Sequence, residues 1–501
     1  MKSKRILFAA VLLSLYGLSV QAQLNTEAFD AYIKAQYERF ELPAISVAIV
    51  KDGGVILTSN YGKRSEKGDK APDQNTLFGI ASLSKAFTAA SIGMLVDEGK
   101  LSWDDKVIDH LPWFEMYDSN VTQQITIEDL LCHRSGLITF DGDLLWYGST
   151  YTREEAVRRI RYRAPTYAFR EEFGYQNLMF MTAGEVIEEV SGKTWDAFVK
   201  ERILDPLRMN RTTSSFETFS TDFNVAKPHL QGKEIFMLSY DNSGATAALN
   251  SSTGDMSKWI QFWLNRGIVG EDTLLSEAAV KKIWTLHTPL GLGDFDAENG
   301  IDNKGYGQGW FLMDYNGKKV MHHGGGLPGY ISKLAIVPEE NLGIIVLTND
   351  MTSVPTLLMY AAIDAATGKE YSKWSDRFYA FKTAAAQSEA ERDAKRLEGR
   401  KEDPLLLPLE DYLGTYADEM YGEARVSLGE EGLILSLLPA KELFTGKMSV
   451  WNDHAFRFEV NDPFLPYGIA TFKVERDVVQ GFTIELPNYD FHFDKLNFVR
   501  K

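Results

Sequence analysis

The sequence predicts an α/β sandwich built on one central antiparallel sheet, followed by a C-terminal all-β barrel domain. Three observations carry this. Strand signals flank a long helical middle, so the two ends of one unit are expected to meet in a single sheet. Near residue 380 the pattern changes, first to a charged helical stretch and then to short alternating segments about ten residues apart. The 501 residues, at about 150 per domain, leave room for one large unit and a smaller one.

Residues 1–22 have the form of a secretory signal peptide. Lys2, Lys4 and Arg5 form a positive region, residues 6–20 an apolar core, and Val20-Gln21-Ala22 a small-x-small cleavage site. The apolar run falls short of the ~20 residues that span a bilayer. Export to the periplasm or the exterior is therefore expected, with no membrane span after cleavage.

Residues 23–370 are expected to form the α/β unit. Residues 44–50 and 55–61 are β-branched segments around Lys51-Asp52-Gly53-Gly54, and Asp-Gly is a strong hairpin signal. A helix is expected from about Ser82 to Glu98, with Gly99 just past its end. Another covers 194–207, stopped by Pro206. Strands return at 310–314, 333–337 and 342–347, the last two joined by a turn at 338–341. Residues 371–407 read as an exposed helix over 382–401 and a linker through Pro404 and Pro408. Residues 408–501 read as the barrel, with strands at 424–428, 432–437, 455–460 and 469–474.

Composition excludes several functions. With 53 Lys+Arg against 70 Asp+Glu, the net charge is -17. A nucleic acid would meet long-range repulsion with no basic stripe to overcome it. The single cysteine, Cys132, permits neither an internal disulfide nor a thiolate cluster. The eight histidines include no HExxH, so neither a metal nor another cofactor is expected.

Three short constellations carry chemistry. Ser82-Leu83-Ser84-Lys85 places a hydroxyl and an amine three residues apart, on one face of a helix. A lysine desolvated by the apolar run that follows is lowered toward a base, and a base is what a serine nucleophile needs. Tyr175-Gln176-Asn177 offers a phenol that can shuttle a proton and an amide that can hold a substrate carbonyl or amide. His323-Gly324-Gly325 sits in HHGGGLPGY, where glycines let a strand edge approach a ligand and a backbone N–H face an acyl oxygen. Each pattern is weak alone. Their order, about 90 and 150 residues apart, is much stronger.

Together with their surroundings, these segments resemble the penicillin-recognising serine hydrolases. The nearest group is class C β-lactamase-like, with its D-aminopeptidases, DD-peptidases and family VIII-type esterases. Gly99 to Val107 (GKLSWDDKV) is similar to that group's GKLxLDDxV, and residues 127–137 (IEDLLCHRSGL) to its LLxHxSGL. Residues 203–209 (ILDPLRM) resemble IxxPLGM with Arg208 in place of glycine, and Tyr306 to Trp310 (YGQGW) resembles YGLGW. The resemblance covers about residues 25–365.

The resemblance implies the fold of the β-lactamase/DD-peptidase group and a role for each motif residue. Ser82 would be the acylated nucleophile, Lys85 its proton partner and Tyr175 the general base and acid. Asn177, His323, Gly324 and Gly325 would bind substrate, and the backbone N–H groups of Ser82 and Gly326 would form the oxyanion hole. His323 stands where β-lactamases of the group carry lysine, the usual partner of a substrate carboxylate. An ordinary histidine titrates near pH ~6.5, so His323 is expected to be mostly neutral at pH 7 and to gain charge as pH falls. The C-terminal unit, with Tyr412-Leu413-Gly414-Thr415-Tyr416 at its start, resembles the lipocalin-like barrels of some D-amino-acid-specific peptidases of this family. Such a barrel is expected to restrict access to the site, to drive homo-oligomerisation, or only to pack.

The leading expectation is an exported serine hydrolase acting as a peptidase or amidase on short peptides, D-amino-acid peptides among them. The alternatives are a carboxylesterase or a weak β-lactamase or DD-carboxypeptidase on the same scaffold, and, outside catalysis, a penicillin-binding sensor.

Overall fold

The computed structural model describes residues 24–398, 400 and 405–501. The expected signal peptide lies outside the described residues, as do Lys401 and Pro404 of the expected linker.

After helix α1 (Thr26–Arg39), strands β1 (Ala44–Lys51) and β2 (Gly54–Gly62) form the expected hairpin. Its turn residues, Asp52 and Gly53, have φ of 50° and 82°, the positive values that match a two-residue turn to strand twist. Five further strands follow a short edge strand β3 (Thr288–Pro289): β4 (Ile301–Tyr306), β5 (Phe311–Tyr315), β6 (Lys318–Leu327), β7 (Tyr330–Val337) and β8 (Leu342–Thr348). The sheet order is β2-β1-β8-β7-β6-β5-β4-β3. β1 pairs antiparallel with β8, Ile49 opposite Ile344, so the two ends of the unit meet as the sequence predicts.

Both faces of this sheet are covered. Every residue of β1 is buried, and alternate side chains enter different cores. Ile45, Val47 and Ile49 join Phe29 and Ile33 of α1 and the helix α5 (Val354–Ala366). Ala48 and Val50 join the other core, with α2 (Ser84–Asp97), α3 (Asn177–Ser191) and α4 (Thr253–Leu264). There Phe87 stacks on Trp259, ring centroids 4.0 Å apart. Each such side chain contributes about 1.5–3 kcal/mol through burial.

Some expected elements have shifted ends. The nucleophile-bearing helix begins with a 3-10 turn, Ala81–Leu83, and becomes α-helical only at Ser84. The helix expected over 194–207 is α-helical only at Trp195–Val199 and widens to a π-helical turn over Lys200–Leu204, just before Pro206. Helix α6 (Lys373–Glu398) starts earlier than expected, anchored by buried Trp374 and Phe378.

Strands β9 (Gly414–Asp418), β10 (Gly422–Gly429), β11 (Gly432–Leu437), β12 (Thr445–Asn452), β13 (Ala455–Val460), β14 (Gly468–Glu475), β15 (Val478–Glu485) and β16 (Asn497–Arg500) close into a barrel. Its core is aromatic: Tyr416, Phe456, Phe458, Phe472, Phe482 and Phe498 are all buried. The barrel docks on the α/β unit. Tyr147 Oη donates to Asp462 Oδ2 at 2.7 Å, Tyr151 Oη to the Tyr421 carbonyl at 2.7 Å, and His492 Nε2 to the Thr139 carbonyl at 2.8 Å. Apolar contact is continuous across this junction. Among the described residues, no helix is long and apolar enough to cross a membrane.

Candidate active site

A cleft of about 540 Å³ opens beside the start of α2. Ala81 has φ of 50°, a left-handed conformation that costs an alanine roughly 1 kcal/mol. That strained residue precedes Ser82, which lines the cleft. One turn on, Lys85 is fully buried; its Nζ lies 3.0 Å from Ser82 Oγ and donates to Asn177 Oδ1 at 2.6 Å and the Thr246 carbonyl at 3.1 Å. Burial holds the Lys85 amine well below its ordinary pKa, with the Asp143 carboxylate pulling the other way.

Tyr175 packs over this amine, its ring centroid 4.8 Å from Lys85 Nζ. Burial pushes its phenol well above the ordinary value, opposed by a hydrogen bond with Ser82. The resting phenol is therefore protonated, and Lys85 is the group whose shift favours a free base. Asn177, at the first turn of α3, is a relay. Its Oδ1 accepts from Lys85 and from Thr246 Oγ1 at 2.8 Å, while its Nδ2 donates to Asp143 Oδ2 at 2.6 Å.

Strand β6 forms the opposite wall with His323, Gly324 and Gly326. Gly325 faces the nucleophile turn: a Cβ there would overlap the Ile80 carbonyl oxygen and the Ser332 hydroxyl. Only glycine permits that approach. His323 does not behave as the sequence suggests. It is 2 % exposed, its Nδ1 donates to the Gly324 carbonyl at 2.6 Å, and its Nε2 faces Tyr306 Oη at 3.0 Å. Burial, then the nearby Lys85, lowers its pKa to about 3. The expected gain of charge near neutral pH is corrected to a neutral ring with both nitrogens engaged.

Sequence reasoning missed several neighbours. Asp143 is 3 % exposed and lines the cleft; burial pushes its carboxyl up to about 8, and its Oδ1 has no hydrogen-bond partner. His133, in the left-handed region at φ 57°, is buried beneath Tyr175, their rings 4.1 Å apart. Lys333 on β7 lines the wall opposite Gly324. The barrel adds Phe464, Asp490 and Phe491. A usable signal existed for Lys333: Pro328-Gly329 is a two-residue hairpin loop, and that length fixes Gly324 opposite Lys333. Asp143 gave none, lying in a short 3-10 turn without periodicity. Among the described residues, no group of His, Cys, Asp and Glu could hold a metal ion.

Fold and cleft together define a serine hydrolase on the penicillin-binding scaffold. The chain belongs to the Beta-lactamase family, which matches residues 29–368. Residues 400–500 match a domain of unknown function, DUF3471. Among similar proteins, the unguisins hydrolase ungD' of Aspergillus campestris (strain IBT 28561) is 29 % identical over 446 residues, covering 81 % of this chain and 78 % of its own. The protein flp of Staphylococcus aureus (strain MW2) is 28 % identical over 368 residues, covering 70 % of this chain and 68 % of its own. The octameric penicillin-binding protein homologue from Pyrococcus abyssi shares the fold with a TM-score of 0.63 at 22 % identity, covering 95 % of this chain and 100 % of that one.

Proposed function

We propose that this chain is an exported serine hydrolase that cleaves amide bonds of short peptides, D-amino-acid peptides among them, through an acyl-enzyme on Ser82. The observation that carries the reading is the contact of a buried, pKa-lowered Lys85 with Ser82 Oγ at 3.0 Å, inside a cleft. Ser82 Oγ attacks the scissile carbonyl and its proton passes to the Lys85 amine. The backbone N–H groups of Ser82 and Gly326 receive the oxyanion. Tyr175 gives its proton to the departing nitrogen as the C–N bond breaks, and Lys85 returns one to the phenolate. Water then attacks the ester, losing a proton to the same pair, and Ser82 leaves protonated.

The amide reading is supported by Asp490 on the cleft lining, a carboxylate that suits the free ammonium of a short peptide. A relative named for the hydrolysis of unguisins agrees with it. The aromatic wall of Phe140, Trp146, Phe173 and Phe311 favours a second reading, a carboxylesterase for apolar acyl groups. The octameric state of the Pyrococcus abyssi homologue supports testing self-association by light scattering.

Mass spectrometry after a fluorophosphonate should find one adduct, on Ser82. Ser82→Ala should lose the adduct and all turnover of amino-acid p-nitroanilides. An adduct on Ser84, or one that survives the substitution, removes the reading. Faster turnover of p-nitrophenyl esters alone would select the esterase.

A further inference from the structure

We propose that Lys333 anchors a substrate carboxylate, so that the cleft selects short peptides whose free C-terminal carboxylate lies next to the cleaved bond. The inference deepens the serine-hydrolase reading and rests on it for the position of that bond.

Lys333 is the only lysine or arginine among the described residues lining the cleft. Two neighbours on β6 place it. From β7 it lies directly opposite Gly324 of β6, where no side chain competes: a Cβ on Gly324 would sit 3.8 Å from Lys333 Cδ, in ordinary contact with the lysine stem. The ammonium donates to His322 Nδ1 at 3.0 Å. That imidazole is stacked on Phe311, ring planes 11° apart, and burial keeps it neutral, so it accepts and does not repel. One of three ammonium protons is thereby used and two remain. Among the described residues, no carboxylate lies within 4.0 Å of the Lys333 amine. It is a desolvated cation aimed into a cleft without its counter-ion.

Spacing sets which carboxylate it would meet. Gly324 is two strand residues from Gly326, about 7 Å at ~3.4 Å per residue. A scissile carbonyl at Gly326 and a carboxylate one residue farther, plus one hydrogen bond, span about the same distance. His323 cannot take this part, since Tyr306 and the Gly324 carbonyl occupy both its nitrogens. The positive pole of the cleft thus stands one strand away from the position at which the sequence suggested looking for it. With Asp490 among the other lining residues, the cleft has groups for both charges of a zwitterionic peptide.

The test is calorimetric titration of the full chain carrying Ser82→Ala, so that nothing is turned over. The ligands are dialanine, in its L,L and D,D forms, and the matching C-terminal amides. At least one free-carboxylate form should bind about ten-fold or more tightly than its amide. Adding Lys333→Gln should erase that preference, and Lys333→Arg should restore most of it. Equal affinities, no binding of either ligand, or a preference that survives Lys333→Gln overturns the proposal. The comparison of acid with amide decides even where Lys333→Gln lowers the yield of folded protein. Failure of the serine-hydrolase reading shows separately, as loss of fluorophosphonate labelling on the unsubstituted chain.

Discussion

Lys85 makes a shorter hydrogen bond to Asn177, 2.6 Å, than to Ser82, 3.0 Å. The amine is thus oriented by a residue 92 positions away on another helix as well as by its own turn. Asn177 in turn is fixed by Thr246 and Asp143. This network holds the base still while the serine, at the cleft surface, stays free to react.

Asn177→Ala should therefore damage both activity and stability. It leaves buried donors on Lys85 and Thr246 and a buried acceptor on Asp143 short of a partner, at about 1–3 kcal/mol for each unsatisfied group. Melting should fall by several degrees, and fluorophosphonate labelling of Ser82 should slow by about ten-fold or more. Labelling at the original rate would show that Asn177 does not position the amine.

Asp143 predicts a pH-dependent effect. Its carboxyl is raised by burial from 3.8 to about 8 in the folded chain. Between those values the folded chain keeps a proton that the unfolded chain releases, so stability from this group falls as pH rises and levels off above about 8. The amide introduced by Asp143→Asn is neutral throughout. The melting temperature of that variant relative to the unsubstituted chain should rise by at least about 2 °C between pH ~4 and pH ~9. A constant difference across that range would show that Asp143 is not held protonated.

The glycines of β6 should differ sharply. Gly325→Ala forces a methyl onto the Ile80 carbonyl, so β6 must move away from the nucleophile turn. Overpacking of this kind costs about 1–3 kcal/mol, and labelling should fall steeply. Gly324→Ala meets nothing closer than 3.6 Å and should keep the fold. Equal tolerance of the two would contradict the close packing of β6 on Ile80.

Much of this architecture was legible because local chemistry set it. Asp52-Gly53 specifies a hairpin whatever surrounds it, and the spacing of Ser82 and Lys85 puts both on one helix face. What stayed hidden depends on long-range placement. The neutrality of His323 comes from burial against Tyr306 and Lys85, residues remote from it in sequence. The helix after Thr194 changes to a π-helical turn at Lys200, which no local pattern in the sequence announces. Asp143 carried no periodic signal, and nothing near Phe491 announces that it faces a cleft built around Ser82, Tyr175 and His323, far earlier in the chain.

The barrel's contribution predicts altered size selectivity. Tyr147 packs against Phe491 with ring centroids 4.3 Å apart, and both line the cleft. Phe491→Ala removes part of that wall. Turnover of bulky p-nitroanilides should rise relative to small ones by about three-fold or more, with Ser82 labelling by a small fluorophosphonate unchanged. An equal change for large and small substrates would place Phe491 outside the path of the substrate.

The wall around Phe491 also has a consequence in time. A chain leaves the ribosome from its N-terminus, so Ser82, Lys85 and Tyr175 are all made long before Asp490 and Phe491. The reactive serine can thus be assembled while the cleft still lacks one side. C-terminal clipping that removes residues 490–501 should recreate that early state: a hydrolase with its chemistry intact and its choice of substrate relaxed. Proteolysis at one end of the chain would then retune a reaction carried out by residues near the other.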